Sequence, residues 1–137
     1  MPVTDDQSIK ELLGLEPVAV VGCSRTPGKD AHEVPAYLVS QGIDVIPVNP
    51  FADEIFGRRA YDILASIDRD IALVDVFRPS GEVPGLVNEA IERSDVKAIW
   101  LQVGIINDAA LERAERAGLI TVQDRCMRTE HRRLHAQ

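Results

Sequence analysis

Cysteine, aromatic side chains and positive charge are all scarce in this sequence of 137 residues. Two cysteines are too few for a disulfide framework, and no secretory signal pattern opens the chain, which favours a reducing, cytoplasmic setting. No apolar run approaches the ~20 residues that cross a bilayer. The net charge of -7 provides no overall positive field to attract DNA or RNA. We therefore expect a soluble cytoplasmic protein that binds neither membranes nor polymeric nucleic acid.

The low aromatic content favours a core of aliphatic side chains. Aromatic residues make up 4% of the chain against 45% for all hydrophobic types. Such a composition is typical of parallel sheets, whose strands are buried on both faces. The length fits one domain, and we expect residues 1–137 to form it.

Apolar runs alternate along the chain with segments of helical spacing. This order predicts an α/β fold, namely a three-layer, Rossmann-like, doubly wound and mainly parallel sheet of five to six strands. The predicted strands are 18–21, 43–48, 57–61 as a short edge strand, 71–77, 98–103 and 119–122. The predicted helices are 5–15, 32–40, 63–67, 82–93 and a segment from 107 or 108 to 117, with a charged, helical tail over 124–137.

In such a sheet the ligand lies beyond the carboxyl ends of the strands, where the strand order reverses beside the first strand. The first of these strand ends carries VVGCSRTPGKD, which resembles a phosphate-binding loop. A P-loop requires four residues between its glycines and a hydroxyl after the lysine, but five separate Gly22 from Gly28, and Asp30 follows Lys29. A dinucleotide fingerprint requires G-x-G-x-x-G and an acidic residue after the second strand, where this chain has Asn49. Neither pattern is present.

The remaining features of this loop are more general. The helix that follows offers free N–H groups, Ser24 and Thr26 offer hydroxyls, and Arg25 and Lys29 offer positive charge. Together they predict a pyrophosphate site, with a solvated Pro-Gly turn as the alternative.

Five further motifs follow in order, mostly at predicted strand ends. They are VNP at 48–50, G-x-x-x-Y at 57–61, DVFR at 75–78, WLQ-x-G at 100–104 and DRCM-x-x-E-H at 124–131. Taken with the loop, they resemble the small CoA-binding proteins, which are related to the CoA-binding domain of the succinyl-CoA synthetase α subunit. The resemblance extends from about residue 18 to residue 131.

The resemblance implies that the ligand is coenzyme A, an ADP with a 3′-phosphate and a pantetheine arm that ends in a thiol. It assigns the turn from Gly22 and Ser24 to Lys29 to phosphate. By the same resemblance, the other expected contacts are Val48, Asn49 and Pro50 at the adenosine, Val76, Phe77 and Arg78 across the cleft, and Gly104 and Ile105 towards the arm. Arg25, Lys29 and Arg78 fit the negative charge of CoA, and which of them meets the 3′-phosphate stays open.

The two cysteines suggest a different chemistry. Cys23 lies near the start of a helix, where a thiol can lose its proton and exchange with CoA to give a mixed disulfide. The alternative is that Cys23 is a small residue chosen for packing. Cys126 is a second candidate for the same exchange.

Other polar residues have both a catalytic or metal-binding interpretation and a structural one. His32 is either a general base or a polar group at the helix start, and Asp75 is either catalytic, a turn cap or a partner of Arg78. Cys126, His131 and His135 have metal-like spacing, but an ion-paired lid over the rim is the simpler interpretation. Trp100 is expected in the core.

No constellation in the sequence amounts to an active site. We therefore expect non-catalytic binding of CoA or acyl-CoA in a sensing, carrier or regulatory role, without the ligase activity of succinyl-CoA synthetase and without a resident metal. The alternatives are an NAD(P)-binding oxidoreductase fragment and a thiol-redox protein that forms a mixed disulfide with CoA. The protein partner and the oligomeric state are not predicted.

Overall fold

Strands and helices alternate along nearly the whole chain. A computed structural model describes residues 1–135. In that range the strands are β1 (Val18–Val21), β2 (Val45–Val48), β3 (Glu54–Ile55), β4 (Arg58–Arg59), β5 (Leu73–Val76), β6 (Ala98–Leu101) and β7 (Ile120–Val122). The α-helices are α1 (Asp6–Leu12), α2 (Asp30–Ser40), α3 (Val83–Glu92), α4 (Asp108–Arg116) and α5 (Met127–His135).

Five strands form a parallel sheet in the order β2-β1-β5-β6-β7. The chain moves outward from β1 to β2, then returns to the other side of β1 to form β5, β6 and β7. The strand order therefore reverses between β1 and β5, where open α/β sheets bind their ligands. The predicted α/β class, with a doubly wound parallel sheet, is confirmed.

Both faces of the sheet are covered by helices. One face packs against α3 and α4, and the other packs against α1, α2 and α5. Successive side chains of each strand point to opposite faces, so Val74 joins the first core while Leu73 joins the second. Trp100 is fully buried in the second core, as expected, and its Nε1–H donates to the Arg125 carbonyl at 2.8 Å.

The predicted edge strand 57–61 is replaced by a small hairpin. Phe56 and Gly57 adopt φ values of 58° and 70°, which turn β3 back antiparallel to β4. Tyr61 forms a bridge to Val48 of the main sheet. The side chain of Arg58 donates to the Val45 carbonyl in β2 and to the Ile43 carbonyl in the preceding loop. The helix predicted at 63–67 is a single 3-10 turn over Leu64–Ser66.

The terminal helices are shorter than the sequence predicts. Helix α1 begins after Asp5, whose Oδ2 accepts the Ser8 N–H at 2.9 Å, and it ends before Gly14. The helical tail is confirmed over Met127–His135, while 136–137 lie outside the described residues. No helix in the described part of the chain is long and apolar enough to cross a membrane.

Candidate functional site

A cavity of about 600 Å³ opens at the carboxyl ends of β1 and β2. It brings together seven residues that the sequence assigned to the site. They are Gly22, Ser24, Lys29, Val48, Asn49, Pro50 and Arg78. The cavity lies beside β1, where the strand order reverses.

Gly22 allows two loops of this cavity to approach closely. Its φ is +84°, and a Cβ at this position would lie 2.7 Å from the Phe77 carbonyl oxygen and 2.9 Å from Arg78 Cδ. Both the positive φ and the contact with backbone exclude a side chain. The loop after β1 is thus held against the loop after β5.

The turn after Gly22 is organised by its own polar groups. Ser24 Oγ accepts the Thr26 N–H at 3.0 Å, and Arg25 Nη1 donates to the Phe51 carbonyl at 2.9 Å. Lys29 is the N-cap residue of α2, and this exposed residue lines the cavity. The turn therefore presents a cation, Lys29, and a hydroxyl, Ser24, to the cavity.

His32 is engaged at the start of α2. Its Nδ1 lies 2.9 Å from Glu33 Oε2, and this hydrogen bond lowers the pKa of the Glu33 carboxyl. The His32 ring also packs against Phe56, with the ring centroids 4.8 Å apart. These contacts favour the structural interpretation of His32 over a general base.

Asn49 connects the loops that follow β1 and β2. Its Nδ2 donates to the Cys23 carbonyl at 2.9 Å, and its Oδ1 accepts the Phe51 N–H at 2.7 Å. Since both ends of the amide are used in this way, Asn49 fixes the shape of the cavity wall.

Both signs of charge line the cavity. Arg78 is paired with Glu82 through two hydrogen bonds of 2.7 and 3.1 Å rather than with Asp75. Asp62 and Glu89 add two carboxylates to the lining, and Lys29 adds a cation. An uneven distribution of charge of this kind gives an anionic ligand a preferred orientation.

Asp75 is completely buried near the carboxyl end of β5. Its Oδ1 accepts from Gln102 Nε2 at 2.6 Å, whereas its Oδ2 has no hydrogen-bond partner among the described residues. Burial raises the pKa of this carboxyl to about 7. The alternative pairing with Arg78 is wrong, because Arg78 lies on the exposed rim and bonds Glu82.

Cys23 is buried in the core covered by α1, α2 and α5. Burial, and then the nearby Asp75, raise the pKa of its thiol to about 12. The hypothesis of a thiolate at Cys23 is therefore wrong, because desolvation outweighs any effect of the helix start on the pKa of this thiol. Its role in packing is confirmed.

A second cavity of about 470 Å³ lies across the rim, and Ala31 lines both cavities. Phe77 and Ile105, which the sequence assigned to the cleft, line this second cavity together with Gln102 and Cys126. Cys126 is partly exposed and immediately precedes α5. The structure thus offers two adjoining compartments with different linings.

The other expected site residues lie near these cavities in different roles. Val76 has no exposed surface, because its side chain points into the core beneath α3. The Gly104 N–H donates to Asp124 Oδ1 at 2.7 Å. Arg25 and Thr26 take part in the loop contacts described above.

The ion pairing predicted for the C-terminal segment is confirmed. Glu130 accepts from Arg125 at 3.2 Å and from Arg133 at 2.6 Å, and Arg133 also reaches Asp6 of α1 at 2.8 Å. Helix α5 packs on α1 and α2, and Cys126, Arg128 and Thr129 around its start line the second cavity.

The histidines of this segment make contacts of their own. His131 Nδ1 lies 2.7 Å from Tyr37 Oη, and the His131 ring stacks on His135 with centroids 4.3 Å apart. Across residues 1–135, no group of three or more His, Cys, Asp or Glu side chains is arranged to hold a metal.

Sequence reasoning missed several residues that line the first cavity. Phe51 lies in a stretch with weak periodicity, and Ile63 was assigned only to the predicted helix at 63–67, so nothing in the pattern placed them at the site. Glu82 and Glu89 were assigned only to a helix. The additional lining residues are Val21, Cys23, Ala31, Phe51, Asp62, Ile63, Leu64, Glu82, Leu86 and Glu89.

Comparison with known sequences finds relatives of two very different lengths. The chain is 36% identical over 124 residues to the uncharacterized protein YneT of Bacillus subtilis, a match that covers 90% of this chain and 91% of YneT. It is 28% identical over 99 residues to an ADP-forming acetate–CoA ligase of Methanocaldococcus jannaschii. That second match covers 72% of this chain and 14% of the ligase.

Solved structures show the same fold at similar identity. A hypothetical protein from Pyrococcus horikoshii OT3 has a TM-score of 0.92 and 38% identity, covering 98% of this chain and 96% of that chain. A family model described as a CoA binding domain matches residues 16–132, a range that includes the residues lining both cavities. The resemblance seen in the sequence is thereby confirmed, and the chain belongs to the family of CoA-binding domains.

Proposed function

We propose that this protein binds coenzyme A or an acyl-CoA at the rim formed by the strand ends, in a non-catalytic sensing, carrier or regulatory role. The observation that carries the proposal is the first cavity, which unites the glycine loop with the VNP and DVFR motifs. We also propose that residues 1–137 act as one domain, since both cores pack on the same sheet.

The two cavities suit the two ends of CoA. The pyrophosphate would lie at Gly22, Ser24 and Lys29, where the cation Lys29 and the start of α2 line the cavity. The adenosine end would contact Val48, Asn49 and Pro50. The pantetheine arm would cross Ala31 and run past Phe77 into the second cavity, near Gly104 and Ile105.

A binding role fits the chemistry of the buried groups. A thiol whose pKa is raised to about 12 is protonated near neutral pH and is a poor nucleophile, so Cys23 does not provide a catalytic centre. Both ends of the Asn49 amide are already hydrogen-bonded within the protein. Asn49 therefore does not take the place of the carboxylate with which NAD-binding sites hold the ribose hydroxyls.

Titration calorimetry with CoA tests the proposal on three proteins. Wild type should bind, and Lys29→Ala should bind roughly 10- to 150-fold more weakly because one charge-assisted hydrogen bond is lost. Lys97→Ala is the matched control, because Lys97 is exposed and precedes β6, at the amino end of the strands. Absence of CoA binding by wild type would refute the proposal, and equal weakening in both variants would place the phosphate elsewhere.

A second candidate function is thiol exchange through Cys126, favoured by its partial exposure in the second cavity. The Cys126 thiolate would attack one sulfur of CoA disulfide, form a protein–CoA mixed disulfide and release one CoA thiolate. Mass spectrometry after treatment with CoA disulfide should show an adduct that reductant removes and that Cys126→Ser abolishes. An adduct unchanged in Cys126→Ser, or no adduct at all, argues against this function.

A further inference from the structure

Phe51 is an aromatic side chain left in solvent at the edge of the first cavity. It is 80% exposed, whereas the other Trp, Tyr and Phe side chains within residues 1–135 are buried or partly buried. Exposing a large apolar ring forgoes the burial that normally stabilises it in the fold. An exposed ring that also lines a cavity is therefore a candidate contact for a ligand.

The backbone of Phe51 is held on both sides. Its N–H donates to Asn49 Oδ1 at 2.7 Å, and its carbonyl accepts from Arg25 Nη1 at 2.9 Å. The same Asn49 donates to the Cys23 carbonyl of the glycine loop. These bonds fix the origin of the Phe51 side chain relative to the proposed phosphate site, so a ligand contact there costs little loop ordering.

A second exposed apolar side chain lines the same cavity. Ile63 is 50% exposed, and its N–H donates to Asp62 Oδ1 at 2.9 Å. Ser66 Oγ donates to the same oxygen at 2.6 Å, which fixes the turn that carries Ile63. Two anchored apolar groups from separate loops thus border one opening, as a flat apolar ligand group requires.

The charge distribution determines which part of a nucleotide fits there. Lys29 lies at the start of α2, whereas the carboxylate of Asp62 lies beside Ile63 and accepts its N–H. Carboxylates repel phosphate groups but accept hydrogen bonds from amino groups and ribose hydroxyls. The uncharged end of a nucleotide therefore belongs beside Phe51 and Ile63.

We infer that Phe51 is the stacking platform for the purine base of the bound nucleotide, with Ile63 bordering the same opening. The inference rests on the proposed CoA binding and deepens it by naming a residue that selects for a base. It makes affinity depend on an aromatic ring at position 51 and on the adenine of CoA.

Titration calorimetry with CoA on wild type, Phe51→Ala and Phe51→Trp tests the inference. Removal of the ring should weaken binding roughly 5- to 100-fold, the range found when an aromatic platform for one base is replaced by alanine. Phe51→Trp should bind within about threefold of wild type, because indole also stacks. Ile120→Ala is the matched control, since Ile120 is 45% exposed and lines neither cavity, and this variant should bind CoA as wild type does.

Fluorescence of Phe51→Trp gives a readout that a purely structural role would not change. Adenosine 3′,5′-bisphosphate, which has the base and lacks the arm, should quench the emission of this variant more than that of wild type, whose Trp100 is buried. CoA binding by Phe51→Ala within about twofold of wild type would overturn the inference and leave the proposed function intact. If the emission of Phe51→Trp is not quenched at saturating CoA, the inference is likewise overturned and the proposed function is left intact. Failure of wild type itself to bind CoA would overturn both.

Discussion

The two cavities on either side of Ala31 differ in how their walls are fixed. The first is bordered by anchored loops and is lined by the cation Lys29 and by carboxylates. The second adjoins a buried polar pair, in which Gln102 holds Asp75, and carries a partly exposed thiol at Cys126. The difference favours the first cavity as the one that orients a charged nucleotide and the second as the one that receives a long, uncharged arm.

The largest loss of stability and of CoA binding is expected from a substitution that disrupts the first cavity. Gly22→Ala places a Cβ 2.7 Å from the Phe77 carbonyl at a φ of +84°, so the loops must separate. We expect the free energy of unfolding to fall by about 3 to 5 kcal/mol and CoA binding to fall at least ~100-fold. Gly28→Ala is the control, because its φ is also positive but nothing lies within 4 Å of its Cβ. Urea unfolding and calorimetry compare the two, and equal effects would contradict the close approach at Gly22.

The buried carboxyl near the second cavity should make stability depend on pH. Since the pKa of Asp75 is raised to about 7, the folded protein holds one proton more than the unfolded chain between about pH 4 and pH 7. The contribution of this group to stability is therefore present below about pH 4 and is lost as the pH rises through 7. Asp75→Asn cannot lose the proton, so its stability relative to wild type should rise with pH by on the order of 2 to 4 kcal/mol and then level off above about pH 8.

Urea unfolding at about pH 5 and pH 8 measures this difference. Asp68→Asn is the control, since a hydrogen bond from Tyr61 lowers the pKa of Asp68 and keeps that carboxyl ionised at both pH values. The stability of Asp68→Asn relative to wild type should therefore stay constant. A difference between Asp75→Asn and wild type that does not change with pH would show that Asp75 is ionised in the folded protein.

The two cysteines should differ in their reactivity towards an alkylating reagent. Cys23 is buried and its pKa is raised to about 12, whereas Cys126 is partly exposed in the second cavity. Iodoacetamide at mildly alkaline pH should modify Cys126 in the folded protein and modify Cys23 only after unfolding. Peptide mass spectrometry measures both, and Cys126→Ser should abolish the labelling of the folded protein. Comparable labelling of Cys23 in the folded protein would contradict its burial.

The smallest change in CoA affinity is expected from a substitution that alters the charge balance of the first cavity. Glu82→Gln frees Arg78 from an exposed ion pair, and because such pairs are worth ~0.3 to 1 kcal/mol, CoA affinity should rise about two- to fivefold. Glu112→Gln is the matched control, because it breaks a similar pair with Arg116 on α4. A fall in affinity for Glu82→Gln, measured by calorimetry, would mean that Glu82 itself contacts the ligand.

Local sequence patterns were sufficient to predict much of the fold. Continuous apolar runs located the five strands of the main sheet, and Asn107 caps α4 by accepting the Ala110 N–H at 3.0 Å. Many of the motif residues at strand ends line the first cavity because parallel strands share one carboxyl edge.

Features that depend on distant contacts were not predictable in the same way. The bond between Asp75 and Gln102 joins residues 27 apart in sequence, and the raised pKa of Cys23 follows from burial that the helix start did not reveal. Phe51 lies in a segment without periodicity, so its place at the cavity became clear only from the bonds of Asn49 and Arg25.

Thermal melting with CoA, NAD, NADP and ATP in turn tests most directly whether the first cavity is a CoA site. A ligand present at ~100 times its dissociation constant stabilises the fold by about 2.7 kcal/mol, which is a shift of several degrees for a domain of this size. We predict that CoA gives the largest shift and that NAD and NADP give little. A shift with NADP and none with CoA would contradict this account.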